Sequence, residues 1–202
     1  MRIKNNIVLY SKQMQLFVLI VCFLLCSCDE RKKRDETTKV VFEWIGKEIR
    51  FPKDVQCYVS GKATLPEFCD ECFKKEFKML LYVDSIGCSD CRLNLFQWKH
   101  IMEEVDSLFQ GMVGFLLFFQ PKNVRDMTNL FFTKRFDYPV FIDINNQINY
   151  LNRFPKEIEF QCFLLDQENK VIAIGNPTMN HQIWELFQSY IKKENKSPLK
   201  MK

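Results

Sequence analysis

Length, composition and charge indicate a globular protein and exclude several other classes. With 202 residues the chain suits one domain with a buried core plus terminal segments, because roughly 100 to 200 residues per domain is usual. Its 47% hydrophobic content and only 6 Gly exclude a disordered or fibrous chain. The formal net charge of +4 falls to +1 without the first 27 residues, which hold three basic residues and no acidic ones, so nucleic acid is not an expected partner.

The first 27 residues predict a secretory signal. A basic leader precedes a run of 10 apolar residues at 16–25, which is too short for a membrane span of about 20 residues. The segment then resembles a bacterial lipobox, with the small Ser27 directly before Cys28. This resemblance implies a lipid anchor on Cys28, and the alternative is an ordinary signal peptide with incidental cysteines. Both interpretations place the domain outside the cytoplasm.

The remaining chain divides into a tether, a domain and a tail. Residues 28–39 are charged and lack an apolar pattern, as is typical of a solvated tether. One domain is predicted for 40–191, where strand-like and helix-like stretches alternate. The basic segment 192–202 is predicted to be a frayed tail.

The first half of the domain predicts a strand pair, a further strand and a long helix. Two short strands around a turn at Gly46 are expected within 40–51, and an apolar strand at 79–83. Apolar residues then recur every three or four positions, which predicts one buried helical stripe that Gly111 ends. This stripe consists of Cys91, Leu95, Trp98, Met102, Val105 and Phe109.

The second half predicts a central strand followed by alternating elements. The run at 112–119 is apolar on both faces, as in a strand covered by helices on both sides. After it we expect, in order, a helix at 124–136, a strand at 139–143, a short helix at 145–153, a hairpin formed by 160–165 and Val171–Ile174, and a helix at 179–191. The last helix is predicted to bury Ile183, Leu186, Phe187, Tyr190 and Ile191. This order predicts an α/β fold with a mixed central sheet flanked by helices and an N-terminal strand pair.

The pair Cys88 and Cys91 lies between the strand at 79–83 and the long helix. A strand that ends on CxxC and continues into a helix is the context in which this pair becomes a redox motif. Cys88 is then the attacking thiolate, favoured by the helix N-terminus, and Cys91 resolves the mixed disulfide. Arg92 is placed to support the thiolate and Asp90 to oppose it.

Three stretches, "MLLYVDSIGCSDCRLNLFQW", "YPVFID" and "FLLDQENKVIAIGNP", are together similar to the thioredoxin-like superfamily. The resemblance is strongest to the membrane-anchored TlpA-type branch and to thioredoxin-like lipoproteins of gut Gram-negative bacteria, and it covers 40–191. It implies a thioredoxin-like fold and thiol–disulfide exchange, with Cys88 as nucleophile and Cys91 as resolving thiol. No cofactor is expected.

The chain departs from that family at three positions around the pair. Gly87 stands where the family usually has Trp, and Phe160 stands where it has a cis-proline. A non-proline there is expected to be trans, so the peptide-docking loop must differ. Tyr82 replaces the buried acid of thioredoxins, and Asp84 is expected to cap or hydrogen-bond the active loop.

A zinc site is the competing interpretation of the same cysteines. Cys69 and Cys72 precede Cys88 and Cys91 with the spacing C-x2-C-x15-C-x2-C, the general form of a four-cysteine zinc site. Helical sequence around both pairs argues against a zinc ribbon, and a secreted context favours disulfides over zinc thiolates.

The other cysteines leave several arrangements open. Cys69 and Cys72 form a disulfide with each other, bond to Cys57, or pack as thiols. Cys162 lies two residues after Phe160, where it either approaches Cys88 or is simply a small buried side chain.

The sequence therefore predicts a lipid-anchored, extracytoplasmic thiol–disulfide oxidoreductase of the cell envelope. Its partners are expected to be envelope protein thiols and disulfides and a membrane electron donor. The alternative is a non-enzymatic thioredoxin-like binding or sensor module of the envelope, with a structural disulfide or zinc. The direction of electron flow does not follow from the sequence, because no reduction potential does.

Overall fold

The computed structural model describes residues 31–32, 34–85 and 93–195. The chain divides into two compact units, Met1–Phe42 and Glu43–Lys202. Helix α1 spans 34–44, and the other elements named below belong to the second unit. Within the described ranges, no helix combines the length and the apolar character needed to cross a membrane.

A mixed sheet organises the second unit. Its strands are β1 (Gln56–Val59), β2 (Lys62–Ala63), β3 (Phe77–Val83), β4 (Val113–Phe119), β5 (Val140–Ile142), β6 (Cys162–Leu165) and β7 (Val171–Ile174). They form a 7-stranded sheet in the order β2-β1-β5-β4-β3-β6-β7. The three strands β3, β4 and β5 are parallel, and the hairpins β1–β2 and β6–β7 join them in antiparallel fashion. Every residue of β3 and β4 is buried, which explains their continuous apolar sequence.

Helices cover both faces of this sheet. They are α2 (Pro66–Phe73), α3 (Leu95–Phe109), α4 (Val124–Thr133), α5 (Gln147–Asn152) and α6 (His181–Asn195). Helix α3 connects β3 to β4, and α4 connects β4 to β5 in the same direction across the sheet. Right-handed crossovers therefore place both helices on one face. Buried residues of α3, α4 and α6 accordingly pack in one cluster with Met79, Leu81 and Val83 of β3.

The opposite face of the sheet is rich in aromatic side chains. Because side chains alternate along a strand, Leu80 and Tyr82 point to this face. Aromatic rings stack across it, and the ring centroids of Phe118 and Phe141 lie 4.7 Å apart. Helix α2 approaches β4 so closely that a Cβ atom on Gly114 would overlap the backbone carbonyl of Cys72. Glycine in the middle of an otherwise bulky strand is explained by this contact.

A buried lysine connects β3 to the turn between β6 and β7. The side chain of Lys78 is fully buried, and its Nζ donates a hydrogen bond to the backbone carbonyl of Gln167 at 2.8 Å. Burial lowers the pKa of Lys78. In the same turn, the Asp166 carboxylate accepts hydrogen bonds from the backbone N–H groups of Glu168 and Lys170, both at 2.9 Å. The side chains of Lys78 and Asp166 thus both stabilise this turn.

The N-terminal strand pair exists, but it lies later in the chain than predicted. Residues 40–44 continue α1, a turn follows at Gly46, and only a single bridge joins Glu48 to Lys170. The strand pair is β1–β2. The prediction for 40–51 was wrong because β-branched and aromatic residues, which favour strands, here follow helical spacing between Val40 and Trp44. The described part of the predicted tether is helical as well.

The other predicted elements are present in the predicted order. The strand predicted for 79–83 begins two residues earlier, and the apolar stripe of α3 is buried from Leu95 to Phe109. The buried face of α6 differs from the prediction, because Leu186 and Tyr190 are exposed and Trp184 is buried instead. The indole Nε1 of Trp184 donates a hydrogen bond to Glu104 of α3, and this contact orients the helix.

Two neighbouring residues of α6 test this orientation. Phe187 is fully buried, so Phe187→Ala is expected to lower the free energy of unfolding by about 3 to 5 kcal/mol. Leu186 is exposed, and Leu186→Ala is the matched control that should change stability by no more than about 0.5 kcal/mol. Chemical denaturation of both variants measures the difference. Equal losses would show that the helix buries Leu186, as the sequence pattern suggested.

Candidate active site

The CxxC segment, residues 86–92, connects the middle of the sheet to α3. Strand β3 ends at Val83, the half-buried Asp84 and Ser85 follow, and the described chain resumes at the buried Leu93. Cys88, Cys91 and Arg92 lie outside the described residues, as do Gly87, Asp90 and Cys28. Their flanks nevertheless fix the place where the segment leaves the sheet, because β3 lies between β4 and β6. This place is the carboxyl end of a central parallel strand, where α/β folds commonly bind ligands.

Helix α3 begins after a break at Asn94. Asn94 has φ 48° and ψ 41°, in the left-handed region, and it separates the helical Leu93 from Leu95, the first residue of α3. The Asn94 carbonyl accepts the first hydrogen bond of the helix, from the backbone N–H of Trp98 at 3.1 Å. Leu93 itself is helical, and the chain directly before it, with Cys88, lies outside the described residues. Stabilisation of the Cys88 thiolate by a helix N-terminus stays a prediction.

Tyr82 does not replace the buried acid of thioredoxins as a proton relay. Its side chain lies on the sheet face opposite to α3, and its hydroxyl donates a hydrogen bond to the Asn146 side chain at 2.9 Å. The Tyr82 ring packs on Phe154, with centroids 4.9 Å apart. Asp84, two residues further on, is the half-buried carboxylate that directly precedes the segment.

Phe160 lies beside this end of β3. It is the last residue of a 3-10 turn, Ile158–Phe160, so β6 begins at Cys162 and not at 160 as predicted. The backbone N–H of Tyr82 donates to the Gln161 carbonyl at 2.9 Å, and extension of this register places Phe160 level with Val83. The fold thus brings two predicted supporting residues, Asp84 and Phe160, to the same end of the sheet. No cis peptide bond occurs in the described chain, so Phe160 is trans as expected.

Cys162 is a buried thiol below the candidate site. It pairs with Leu81 and belongs to the apolar cluster on the α3 face of the sheet, with no exposed surface. Burial raises the pKa of the Cys162 thiol far above its ordinary value. A group in this state is a small apolar side chain and not a nucleophile.

Two cavities border the ends of the CxxC segment. One has a volume of ≈ 270 Å³ and is lined by Ser85 and the start of α4. The other has a volume of ≈ 600 Å³ and is lined by Asn94, Phe96 and Lys99 among others. Phe96 is 83% exposed, which is unusual for a large aromatic residue. Phe96 was not among the predicted site residues, although its position off the apolar stripe of α3 predicts exposure.

A disulfide removes one ligand of the alternative zinc site. Cys57 of β1 is bonded to Cys69 of α2, with Cα atoms 6.5 Å apart, while Cys72 is a half-buried free thiol. A sulfur in a disulfide provides no thiolate for zinc, so Cys69 is not a zinc ligand while it is bonded to Cys57. Cys88 and Cys91 lie outside the described residues, so the four-cysteine site stays an untested prediction. Of the three fates open to Cys69, the structure shows the bond to Cys57.

No protein-family model matches the chain, and no curated protein matches it. A proposed thiol-disulfide oxidoreductase from Bacteroides vulgatus is similar in structure, with 14% identity, a TM-score of 0.50 and coverage of 71% of this chain and 91% of the other. A proposed thiol:disulfide interchange protein DsbE from Chlorobium tepidum has 14% identity and a TM-score of 0.50, with coverage of 73% and 97%. A variant of PrxQ from Xylella fastidiosa has 8% identity and a TM-score of 0.51, with coverage of 74% and 96%.

The fold is thioredoxin-like. The mixed sheet with helices on both faces confirms the predicted fold class, including the hairpin β6–β7 on one side of β3. At these identities the likeness concerns the fold. Within the thioredoxin-like fold, the segment that carries Cys88 and Cys91 occupies the connection between the central strand β3 and helix α3.

Burial of Cys162 leads to a direct prediction. Because its thiol is enclosed and protonated, alkylation by iodoacetamide in the native chain is expected to be at least about 100-fold slower than in the unfolded chain. Peptide mass spectrometry before and after unfolding in guanidinium measures the ratio. Similar rates in both states would mean that the site around Cys162 opens and that the cysteine is available for exchange.

Proposed function

We propose that this protein is a thiol–disulfide oxidoreductase in which Cys88 attacks and Cys91 resolves. The observation that carries the proposal is the position of CxxC in a thioredoxin-like fold, between the carboxyl end of β3 and the start of α3. In the reducing direction, the Cys88 thiolate attacks a client disulfide and forms a mixed disulfide. Cys91 then attacks Cys88, which releases the reduced client and leaves the Cys88–Cys91 disulfide, and a membrane electron donor returns this pair to the dithiol. The same two steps in reverse oxidise a client dithiol, and the proposal covers both directions.

The disulfide between Cys57 and Cys69 supports an oxidising compartment. Both sulfurs are buried, each cysteine being 1% exposed, and such structural disulfides are rare in the cytosol. Together with the signal sequence and the lipobox, this supports a protein of the cell envelope that is anchored by lipid on Cys28. The anchored domain would face the periplasm or the outer surface, where protein thiols and disulfides are its partners.

The surroundings of the segment suggest how clients are held. Gly87 and Phe160 replace the aromatic wall and the proline loop of the family, so docking has to use other surfaces. The exposed ring of Phe96 lines the larger cavity directly after the segment and provides an apolar contact there. Asp84 is expected to hold the active loop through hydrogen bonds, and Arg92 to favour the thiolate.

A non-enzymatic binding or sensor module is the second candidate. One observation favours it: the Tyr82 hydroxyl donates a hydrogen bond to Asn146 on the sheet face opposite to α3, so Tyr82 is not placed like the buried acid that serves the family as proton relay. This lowers the expected activation of Cys88. An unreactive pair in an intact fold is the outcome that distinguishes this candidate.

Trapping with a resolving-cysteine variant tests the oxidoreductase. In cells, Cys91→Ser should accumulate mixed disulfides between Cys88 and envelope proteins, because the second step is blocked. The complexes are detected on non-reducing gels and mapped by mass spectrometry. The matched control, Cys88→Ser with Cys91→Ser, should lose every complex. Absence of complexes from Cys91→Ser, with the protein folded and present at the parent level, would favour the binding module.

A separate prediction concerns the anchor. Cys28→Ser should move the protein from the membrane fraction to the soluble fraction, because the acylated residue is lost. Cys26→Ser is the matched control and should leave the protein in the membrane fraction. Metabolic labelling with a fatty-acid analogue and fractionation measure both. Unchanged labelling of Cys28→Ser would contradict lipidation at this residue.

A further inference from the structure

Three cysteines meet where helix α2 covers strand β1. Cys57 in β1 and Cys69 in α2 form the disulfide, and both are 1% exposed. Cys72 lies three residues after Cys69 in the same helix and is a half-buried free thiol. Neither the disulfide nor this thiol takes part in the chemistry proposed for Cys88 and Cys91.

The three side chains are directed to one region on the aromatic face of the sheet. Cys57 is directly opposite Phe141 in the β1–β5 pair, and cross-strand partners point to the same face. Phe73, the last residue of α2, packs on Phe141 with ring centroids 5.3 Å apart, so the end of α2 lies over this pair. Cys69 is therefore beside Cys57, and Cys72 follows one helical turn later.

The spacing within α2 allows Cys69 to bond to either neighbour. Residues three apart on a helix face the same side, with Cβ atoms about 5 to 6 Å apart. Cys72 lies in the last turn, one residue before the helix ends at Phe73, where a small local adjustment brings the two sulfurs together. The backbone of Cys72 lies against Gly114 of β4, and its thiol is hydrogen-bonded to the Phe115 backbone, so Cys72 and Cys57 approach Cys69 from the β4 side and the β1 side.

We propose that Cys57, Cys69 and Cys72 form a second thiol–disulfide exchange site, which small thiols use. The Cys72 thiolate attacks Sγ of Cys69, a Cys69–Cys72 bond forms, and the Cys57–Cys69 bond breaks. The electron pair leaves on Sγ of Cys57, which takes up a proton equivalent to the one that Cys72 released. This step changes which sulfurs are bonded and involves no net oxidation.

The exchange moves the disulfide from two buried sulfurs to a pair with one partly exposed sulfur. A small thiol, RSH, attacks Sγ of Cys72 as thiolate, forms an RS–Cys72 mixed disulfide and releases the Cys69 thiol. A second RSH attacks the sulfur of the bound R group, which yields RSSR and the Cys72 thiol. Two electrons thus pass from two small thiols to the protein, through a half-buried position that favours small thiols over folded proteins.

The resting state is consistent with a disulfide and a free thiol side by side. Burial raises the pKa of the Cys72 thiol, and the Glu71 charge acts in the same direction, while a hydrogen bond with the Phe115 backbone and the Lys75 charge lower it by less. The thiol is thus mostly protonated near neutral pH and attacks Cys69 slowly in the absence of a reductant. The site lies on the face of the sheet opposite to α3, so it is separate from the CxxC segment.

Peptide mapping distinguishes the two bonds of Cys69. Trypsin cleaves after Lys62 and Lys74, so Cys57 falls in peptide 54–62, whereas Cys69 and Cys72 share peptide 63–74. The Cys57–Cys69 bond links two peptides, and the Cys69–Cys72 bond closes a loop within one. The full chain carrying Cys88→Ser and Cys91→Ser is treated with glutathione, quenched with acid, alkylated and digested. This background keeps the result independent of the proposed activity of Cys88.

The expected result is a looped peptide 63–74 that appears before all three cysteines become alkylated. Addition of Cys72→Ser should slow reduction of the Cys57–Cys69 bond at least about tenfold, because the intramolecular attack is lost. Cys162→Ala is the matched control, which removes a free thiol elsewhere and should leave the rate unchanged. An unchanged rate in Cys72→Ser, together with no looped peptide, would overturn the proposal.

A second variant tests the alternative bond directly. In Cys57→Ser, Cys69 has lost its partner, and oxidised glutathione should convert peptide 63–74 into its looped form. Circular dichroism shows whether the variant is folded. If it is unfolded, the time course of glutathione reduction in the chain that retains Cys57 decides between the outcomes. Two alkylated thiols in peptide 63–74 of the folded, oxidised variant would contradict the exchange.

Discussion

The pairing of β3 with both of its neighbours is the constraint on which the rest of the structure depends. Leu81 is opposite Leu117 on one side and Cys162 on the other, and this register sets the end of β3 beside Phe160. Because side chains alternate, a slip of one residue would exchange the faces of Leu81 and Tyr82. The buried aromatic face would then receive the wrong residues, and the CxxC segment would leave the sheet at another level. The geometry of the candidate site is therefore set by packing in the sheet and not by the segment alone.

The sequence predicts those elements whose periodicity is local and uninterrupted. Strand β4 is apolar at every position, and helix α3 carries a stripe from Leu95 to Phe109, so both were predictable. The turn at Asp166 was predictable too, because its carboxylate binds backbone groups only two and four residues away. The predictions for 40–51 and for the face of α6 were wrong for different reasons. At 40–44, residues that favour strands follow helical spacing. In α6, the contact of Trp184 with the distant Glu104 overrides the local pattern.

The candidate site was predictable in its position but not in its details. The order of strand, CxxC and helix indicated where the cysteines lie in the fold. The left-handed conformation of Asn94, which separates the helical Leu93 from α3, has no signature in the apolar stripe. Nor could the spacing of Cys69 and Cys72 decide their partner. The partner of Cys69 is Cys57, which lies in β1, and the strand pair that contains β1 was predicted at another place in the chain.

The hydrogen bond from Lys78 to the Gln167 carbonyl limits how this fold can change in evolution or by design. Hairpin turns usually tolerate insertions, which makes them common sites for grafted peptides and circular permutation. Here an added residue would shift the carbonyl that receives a buried ammonium group, and an unpaired buried charge is strongly unfavourable. Since the acceptor is a backbone atom, the side chain at 167 remains free to vary. The turn between β6 and β7 is thus fixed in length, while position 167 can vary in sequence.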